Sequence, residues 1–305
     1  MNMEPSKKYR FSINIFLFLI IILLLMTACR ERQTIYVPTA TDYEFVSITE
    51  RKDLKVGVVA GPYGDMFTEA ILPSLEKIGY TASLVYYNDF TSPNIALAQN
   101  EIDLNIFQHY AYLNSFKFEN DLALSAISEI PTISMGIYSH RYKTINELNT
   151  GITVSIPSDS TNLARALRVL ESADIIRLNP FIDKSKATIN DISFNPRRIR
   201  IVPIEAHNLV EALRLNDLSV INGNFAISNG LNPSDALYNE TLAENYINVI
   251  AVRTEDLSAQ FVRDIIYVLH SNEYKQVIIN PNGKYVDFQY PRSFMDRLRR
   301  MQADQ

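Results

Sequence analysis

From Leu54 onward the chain alternates short apolar runs with stretches of helical period, the pattern of an α/β domain. Residues 54–60 (LKVGVVA) read as a buried strand, followed by a Gly-Pro-Tyr-Gly-Asp turn and a helix over about 66–78. Gly79 closes that helix in the position where the backbone usually turns left-handed. Strands are predicted at 81–87 and 102–107, with a short helix at 94–100 between them and another at 110–118. The run 133–139 (ISMGIYS) is a further strand, and a short helix is expected at 145–148. The β-α pattern then restarts: strand 152–156, helix 163–172, strand 199–203, helix 207–215 and strand 218–222. Residues 246–253 (YINVIAVR) match 133–139 in apolar character, so the two are expected to be crossover strands between two lobes, with a helix at 258–271 returning to the first. The expected organisation is residues 54–138 plus 247–305 for lobe 1 and 139–246 for lobe 2. A cleft between two such lobes is a preferred place for a small ligand, and the arrangement closes by a hinge.

The first 28 residues have a different character. Lys7, Lys8 and Arg10 precede an apolar run over 11–26 that ends in small residues, as in an export signal. The run is shorter than the roughly 20 residues of a spanning helix. Cys29, the only cysteine, follows Met26-Thr27-Ala28, which resembles the lipobox of bacterial lipoproteins, where the thiol carries a diacylglycerol. A lone cysteine makes no intrachain disulfide, and lipidation gives it a use. Residues 29–53 then read as a tether, which holds Pro38 and no sustained period.

Composition adds two limits. With 305 residues and 47% hydrophobic positions the chain can bury a large core. Its formal charge is −5, becoming about −7 once the signal segment is removed, and no basic patch stands out, so a nucleic-acid partner is not expected.

Motifs for catalysis, metals and cofactors are missing: no GxSxG, HExxH, Walker loop or GxGxxG occurs, and the four histidines at 109, 140, 207 and 270 are far apart. No catalytic residue, metal or cofactor is therefore expected. The densest candidate cluster is Asn105-Ile106-Phe107-Gln108-His109-Tyr110-Ala111-Tyr112, at the C-terminal end of a predicted strand, where open α/β sheets bind ligands. Phe107, Tyr112, His109 and the nearby Phe90 suit an aromatic wall; the same residues would also make an ordinary aromatic core. Asn162 and Arg165 share a face at the start of a predicted helix, a setting for an anion such as a carboxylate, or else for a simple helix cap and a surface charge. Asn222-Gly223-Asn224 offers amides able to meet an ammonium and a glycine that admits close backbone approach, or else a plain turn.

Taken jointly, five segments resemble the NlpA lipoprotein family, the methionine-binding components of methionine ABC importers. They are Leu54-Lys55-Val56-Gly57-Val58; Pro93-Asn94-Ile95-Ala96-Leu97; Asp103 with Asn105-Ile106-Phe107-Gln108-His109, Tyr112 and Leu113; Pro157-Ser158-Asp159-Ser160-Thr161-Asn162 with Arg165; and Val220-Ile221-Asn222-Gly223-Asn224-Phe225-Ala226. The resemblance implies a two-lobed periplasmic-binding-protein (Venus-flytrap, type II) fold with two crossover strands. It implies that Phe90, Phe107, His109 and Tyr112 enclose a thioether side chain, that Asn162 and Arg165 hold the carboxylate, and that Asn222 and Asn224 address the amino group. It further implies methionine or a related amino acid as ligand, an ABC permease with its ATPase subunits as partners, and lipid anchoring on the extracytoplasmic side of a membrane. The chain departs from the family's usual pattern at Phe90, where tyrosine is common, at 207–210, which lacks a Pro-Arg pair, and in its basic tail with Arg292, Arg297, Arg299 and Arg300. Two rival expectations remain: a two-lobed enzyme acting on a small metabolite with His109 as base, and a surface lipoprotein that keeps the fold without transport.

Overall fold

A computed structural model of the chain describes residues 52–303. The expectations placed on Cys29, on the signal segment and on the tether up to residue 51 lie outside the described residues.

The first sheet grows from β1 (Lys52–Val59), whose Leu54, Val56 and Val58 are fully buried on one face. It pairs in parallel with β2 (Tyr80–Tyr87) along its whole length and with β3 (Leu104–His109). Between β1 and β2 runs α1, an α-helical turn Tyr63–Met66 that passes through a π-helical stretch Phe67–Ile71 into Leu72–Glu76. The short α2 (Ser92–Ala98) precedes β3, and α3 (Tyr110–Glu119) follows it directly. All six residues of β3 are buried, as expected of a strand covered on both faces. An edge strand absent from the sequence reading, β4 (Leu124–Ile130), completes this lobe's outward path.

The chain leaves the first sheet at Ile130 and enters the second at Gly136. The segment 133–139 is therefore not one strand shared by the lobes: only β5 (Gly136–Tyr138) is extended, and it pairs antiparallel within the second sheet. The second sheet has the order β11-β5-β10-β6-β9, built from β6 (Thr153–Pro157), β9 (Arg200–Ile204), β10 (Leu218–Ile221) and β11 (Tyr238–Asn239). A separate ribbon of β7 (Arg177–Leu178) and β8 (Ile192–Phe194) lies between β6 and β9 in the chain. The main helix is α4 (Ser160–Ser172), capped by the Asp159 carboxylate, which accepts from the Asn162 amide. Its Ala164, Leu167, Leu170 and Val169 enter the core of this lobe. The expected helix at 207–215 shrinks to a 3₁₀ turn and α5 (Leu209–Ala212), and α6 (Gly223–Ser228) follows β10.

The return strand β12 (Asn248–Arg253) lies in the first sheet, whose order is β2-β1-β3-β12-β4, antiparallel to both neighbours. Then come α7 (Gln260–Leu269), α8 (Asn272–Ile278) and α9 (Arg292–Ala303). The basic tail is thus a helix seated on the first lobe: Phe294 is buried against Tyr274, while Arg292 and Arg299 are largely exposed. Just before it, Gln289 ties the two interlobe connections together. Its backbone pairs with Thr132, its amide nitrogen donates to Ser134 Oγ and to Glu240 O, and its amide oxygen accepts from Leu242 N.

Candidate functional site

The end of β3 is fixed from below by a buried amide network. Asn94 Nδ2 donates to Gln108 Oε1 (2.8 Å), and Gln108 Nε2 donates to Asn94 Oδ1 (2.6 Å) and Asn105 Oδ1 (2.9 Å). Asn248 Nδ2 donates to Phe107 O at 3.1 Å, so β12 holds the same strand end from its other side. Buried amides this fully paired give the strand end one preferred arrangement. They aim the Phe107 ring and His109 out of the sheet toward the second lobe.

His109 also caps α3, its Nδ1 accepting from Tyr112 N at 3.1 Å. Nε2 then carries the proton and donates to Asn162 Oδ1 across the cleft at 3.1 Å. Burial, helped by the Arg165 charge and opposed by the Asn162 hydrogen bond, lowers the His109 pKa from 6.5 to about 3. His109 is therefore neutral at ordinary pH. Between those two values an unfolded chain binds a proton that the fold refuses. The stabilisation is whole above about pH 6.5 and is lost as pH falls toward 3, at up to about 1.4 kcal/mol per pH unit. His109→Gln should flatten the acid limb of a chemical-denaturation pH profile, leaving among the histidines the narrower window of His270, whose pKa burial lowers to about 4. A profile unchanged by the substitution would contradict this placement.

Asn162 is a junction. Its oxygen accepts from His109 and from Asn222 Nδ2 (2.9 Å), and its nitrogen donates to the Asp159 carboxylate at 3.1 and 3.2 Å. Burial, the largest influence on Asp159, pushes that carboxyl's pKa up against these hydrogen bonds.

One turn along α4, Arg165 is 4% exposed and paired with the buried Glu240. Nε donates to both carboxylate oxygens (3.0 and 3.1 Å), Nη2 also donates to Oε1, and the guanidinium stacks 5.0 Å from the Tyr246 ring centre. No protein acceptor among the described residues engages Nη1. Asn222 presents a second unfilled valence: its Oδ1 is buried without a hydrogen-bond partner. Asn224 closes the cleft at another point, Nδ2 donating to Ala60 O at 3.0 Å. Between these asparagines, Gly223 lies so close to Ile133 and Ser134 of the first interlobe connection that a Cβ would overlap Ser134 O and come 2.7 Å from Ile133 Cγ2.

The opposite wall is aromatic. Phe90 stacks on Phe107 (5.9 Å between ring centres), meets Tyr112 edge-on (5.8 Å) and touches Phe225 of the second lobe (5.2 Å). Phe90, Phe107, His109, Tyr112, Asn162, Arg165, Asn222 and Asn224 all line one small cavity, together with Tyr63 and Asn248. Glu240, Tyr246 and Phe225 were missed by the sequence reading. Glu240 follows β11 in irregular chain, and Tyr246 ends a 3₁₀ turn at the edge of the run read as a crossover strand, so neither stood out as a site residue.

The model of the NlpA lipoprotein family matches residues 54–288. Outer membrane lipoprotein 3 of Mannheimia haemolytica is 36% identical over 221 residues, 72% of this chain and 84% of that protein. The D-methionine-binding lipoprotein MetQ of Escherichia coli is 32% identical over 223 residues, 72% of this chain and 82% of that one. Among solved structures, a nutrient-binding protein from Burkholderia cenocepacia bound to methionine superposes with a TM-score of 0.70 at 32% identity, covering 74% of this chain and 95% of that one. A family match over most of the folded region, relatives above 30% identity and a shared two-lobed architecture lead to one conclusion: this chain belongs to the NlpA lipoprotein family.

Proposed function

We propose that this chain captures methionine or a close derivative between its lobes and delivers it to an ABC permease. The observation that carries the reading is that Arg165, whose Nη1 meets no protein acceptor among the described residues, and Asn222, whose Oδ1 is buried without a partner, both line one aromatic-walled cavity. Arg165 Nη1 is a charged donor suited to a carboxylate, and Asn222 Oδ1 is a buried acceptor suited to an ammonium. Phe90, Phe107 and Tyr112 take the side chain, where a polarizable sulfur beside rings gains about 0.3–1.5 kcal/mol per contact. Asn162 and His109 hold Asn222 and the helix start in place, and Asn224 latches the lobes through Ala60. The relatives named for methionine binding support the choice of ligand.

In this reading the border between the lobes falls between Ile130 and Gly136 on the way out and between Asn239 and Asn248 on the way back. Cys29 carries the lipid that anchors the protein outside the cytoplasm. No helix among the described residues is long and apolar enough to cross a membrane. The enzymatic alternative relied on His109 as base. With both ring nitrogens engaged and a pKa near 3, that imidazole is a poor proton acceptor at neutral pH.

The direct test is calorimetric titration of the refolded protein with L- and D-methionine, beside mass spectrometry of whatever co-purifies with it. Methionine at 100 times its Kd should raise the stability of the fold by about 2.7 kcal/mol. No heat and no thermal shift with either isomer, from protein shown to be ligand-free, would overturn the assignment.

A further inference from the structure

Arg165 lines the cavity while its partner Glu240 holds it from outside the lining, and this has a consequence for the charge of the ligand. An arginine alone in so dry a place would present a full positive charge and favour any anion that fits. Here Glu240, 8% exposed, occupies Nε and Nη2 and leaves Arg165 only part of its donor set. The carboxylate has no room to swing away, because Oε1 also accepts from Met135 N at 2.7 Å and the residue's own carbonyl accepts from Gln289.

We propose that Glu240 is a specificity-determining residue: by balancing Arg165 it makes the site accept a zwitterion and reject the matching free carboxylate. The proposal rests on the amino-acid reading above. Of the other ionisable groups near the pair, His109 is neutral, and Arg168 is a second cation, 5.3 Å from the Tyr246 ring centre and donating to the Tyr246 hydroxyl, but it does not line the cavity. A ligand with a carboxylate and no ammonium brings an uncompensated negative charge into a medium of low dielectric. It also leaves Asn222 Oδ1 unfilled.

The test compares L-methionine with 4-(methylthio)butanoate, the same molecule without its amino group, by calorimetry on wild type, Glu240→Gln and Glu240→Asp. Wild type should bind the desamino acid about a hundredfold more weakly than methionine. Glu240→Gln should narrow that ratio by about tenfold or more, because Arg165 regains its uncompensated charge. Glu240→Asp, which keeps the charge, should retain most of the wild-type ratio. If Glu240→Gln weakens both ligands equally, Glu240 is a structural prop and the proposal fails. Equal wild-type affinity for the two ligands also overturns it and needs no variant to fold. Absence of methionine binding by wild type is a different result, which removes the ligand assignment itself and this proposal with it.

Discussion

Arg165→Ala is expected to weaken methionine binding by roughly tenfold to more than a hundredfold, the loss of one charge-assisted contact. It should also destabilise the empty protein by about 3–5 kcal/mol, because the buried Glu240 carboxylate is left without its counter-charge. The two effects are separable by experiment. Calorimetry reads the first, and denaturant unfolding without ligand reads the second. Adding Glu240→Leu to Arg165→Met removes the pair as a unit, and should recover much of the stability while affinity stays low. Retention of wild-type affinity by Arg165→Ala would remove the guanidinium from the binding site.

Gly223→Ala should act on both quantities through geometry alone. The added carbon meets Ser134 O and Ile133 Cγ2, so either α6 or the interlobe connection has to give way. Overpacking of this kind costs about 1–3 kcal/mol. The neighbours on either side are Asn222 and Asn224, so the displacement misplaces two polar groups at once, and affinity should fall by about a hundredfold. Denaturant unfolding and titration of the same variant check the two numbers. A variant that binds and unfolds like wild type would show that this contact yields without cost.

Much of this architecture could be read in advance where burial is continuous. Strands β3, β6 and β10 are buried at every position, and a strand covered on both faces needs no alternation to be recognised. Strand β4 was invisible because only Leu124, Ile127 and Ile130 are buried, with Ser125, Ser128 and Glu129 between them, a spacing of three that suits neither period. The ribbon of β7 and β8 and the edge strand β11 are two or three residues long, below what any window detects. In 133–139 hydrophobicity alone could not separate a connection from a strand. The apolar side chains there are buried in both parts, while the hydrogen-bond ladder exists only from Gly136.

At the site, residue types and their place after strands were enough to nominate eight side chains that meet at one cavity. Their hydrogen-bond partners were not legible. Arg165 is answered by Glu240, 75 positions away, and His109 by Asn162, 53 away. Such pairings are set by how two lobes meet, and no local pattern carries that. The same limit hid the double duty of His109, whose role as the cap of α3 depends on the strand ending one residue before the helix begins.

Gln289 lies one residue beyond the stretch matched by the family, yet its side chain grips the outbound and the homebound connections at once. The two connections consequently form a single spindle, and neither can twist without loading the other. On the proposed function, ligand release would depend partly on this amide, which belongs to neither sheet and does not line the cavity.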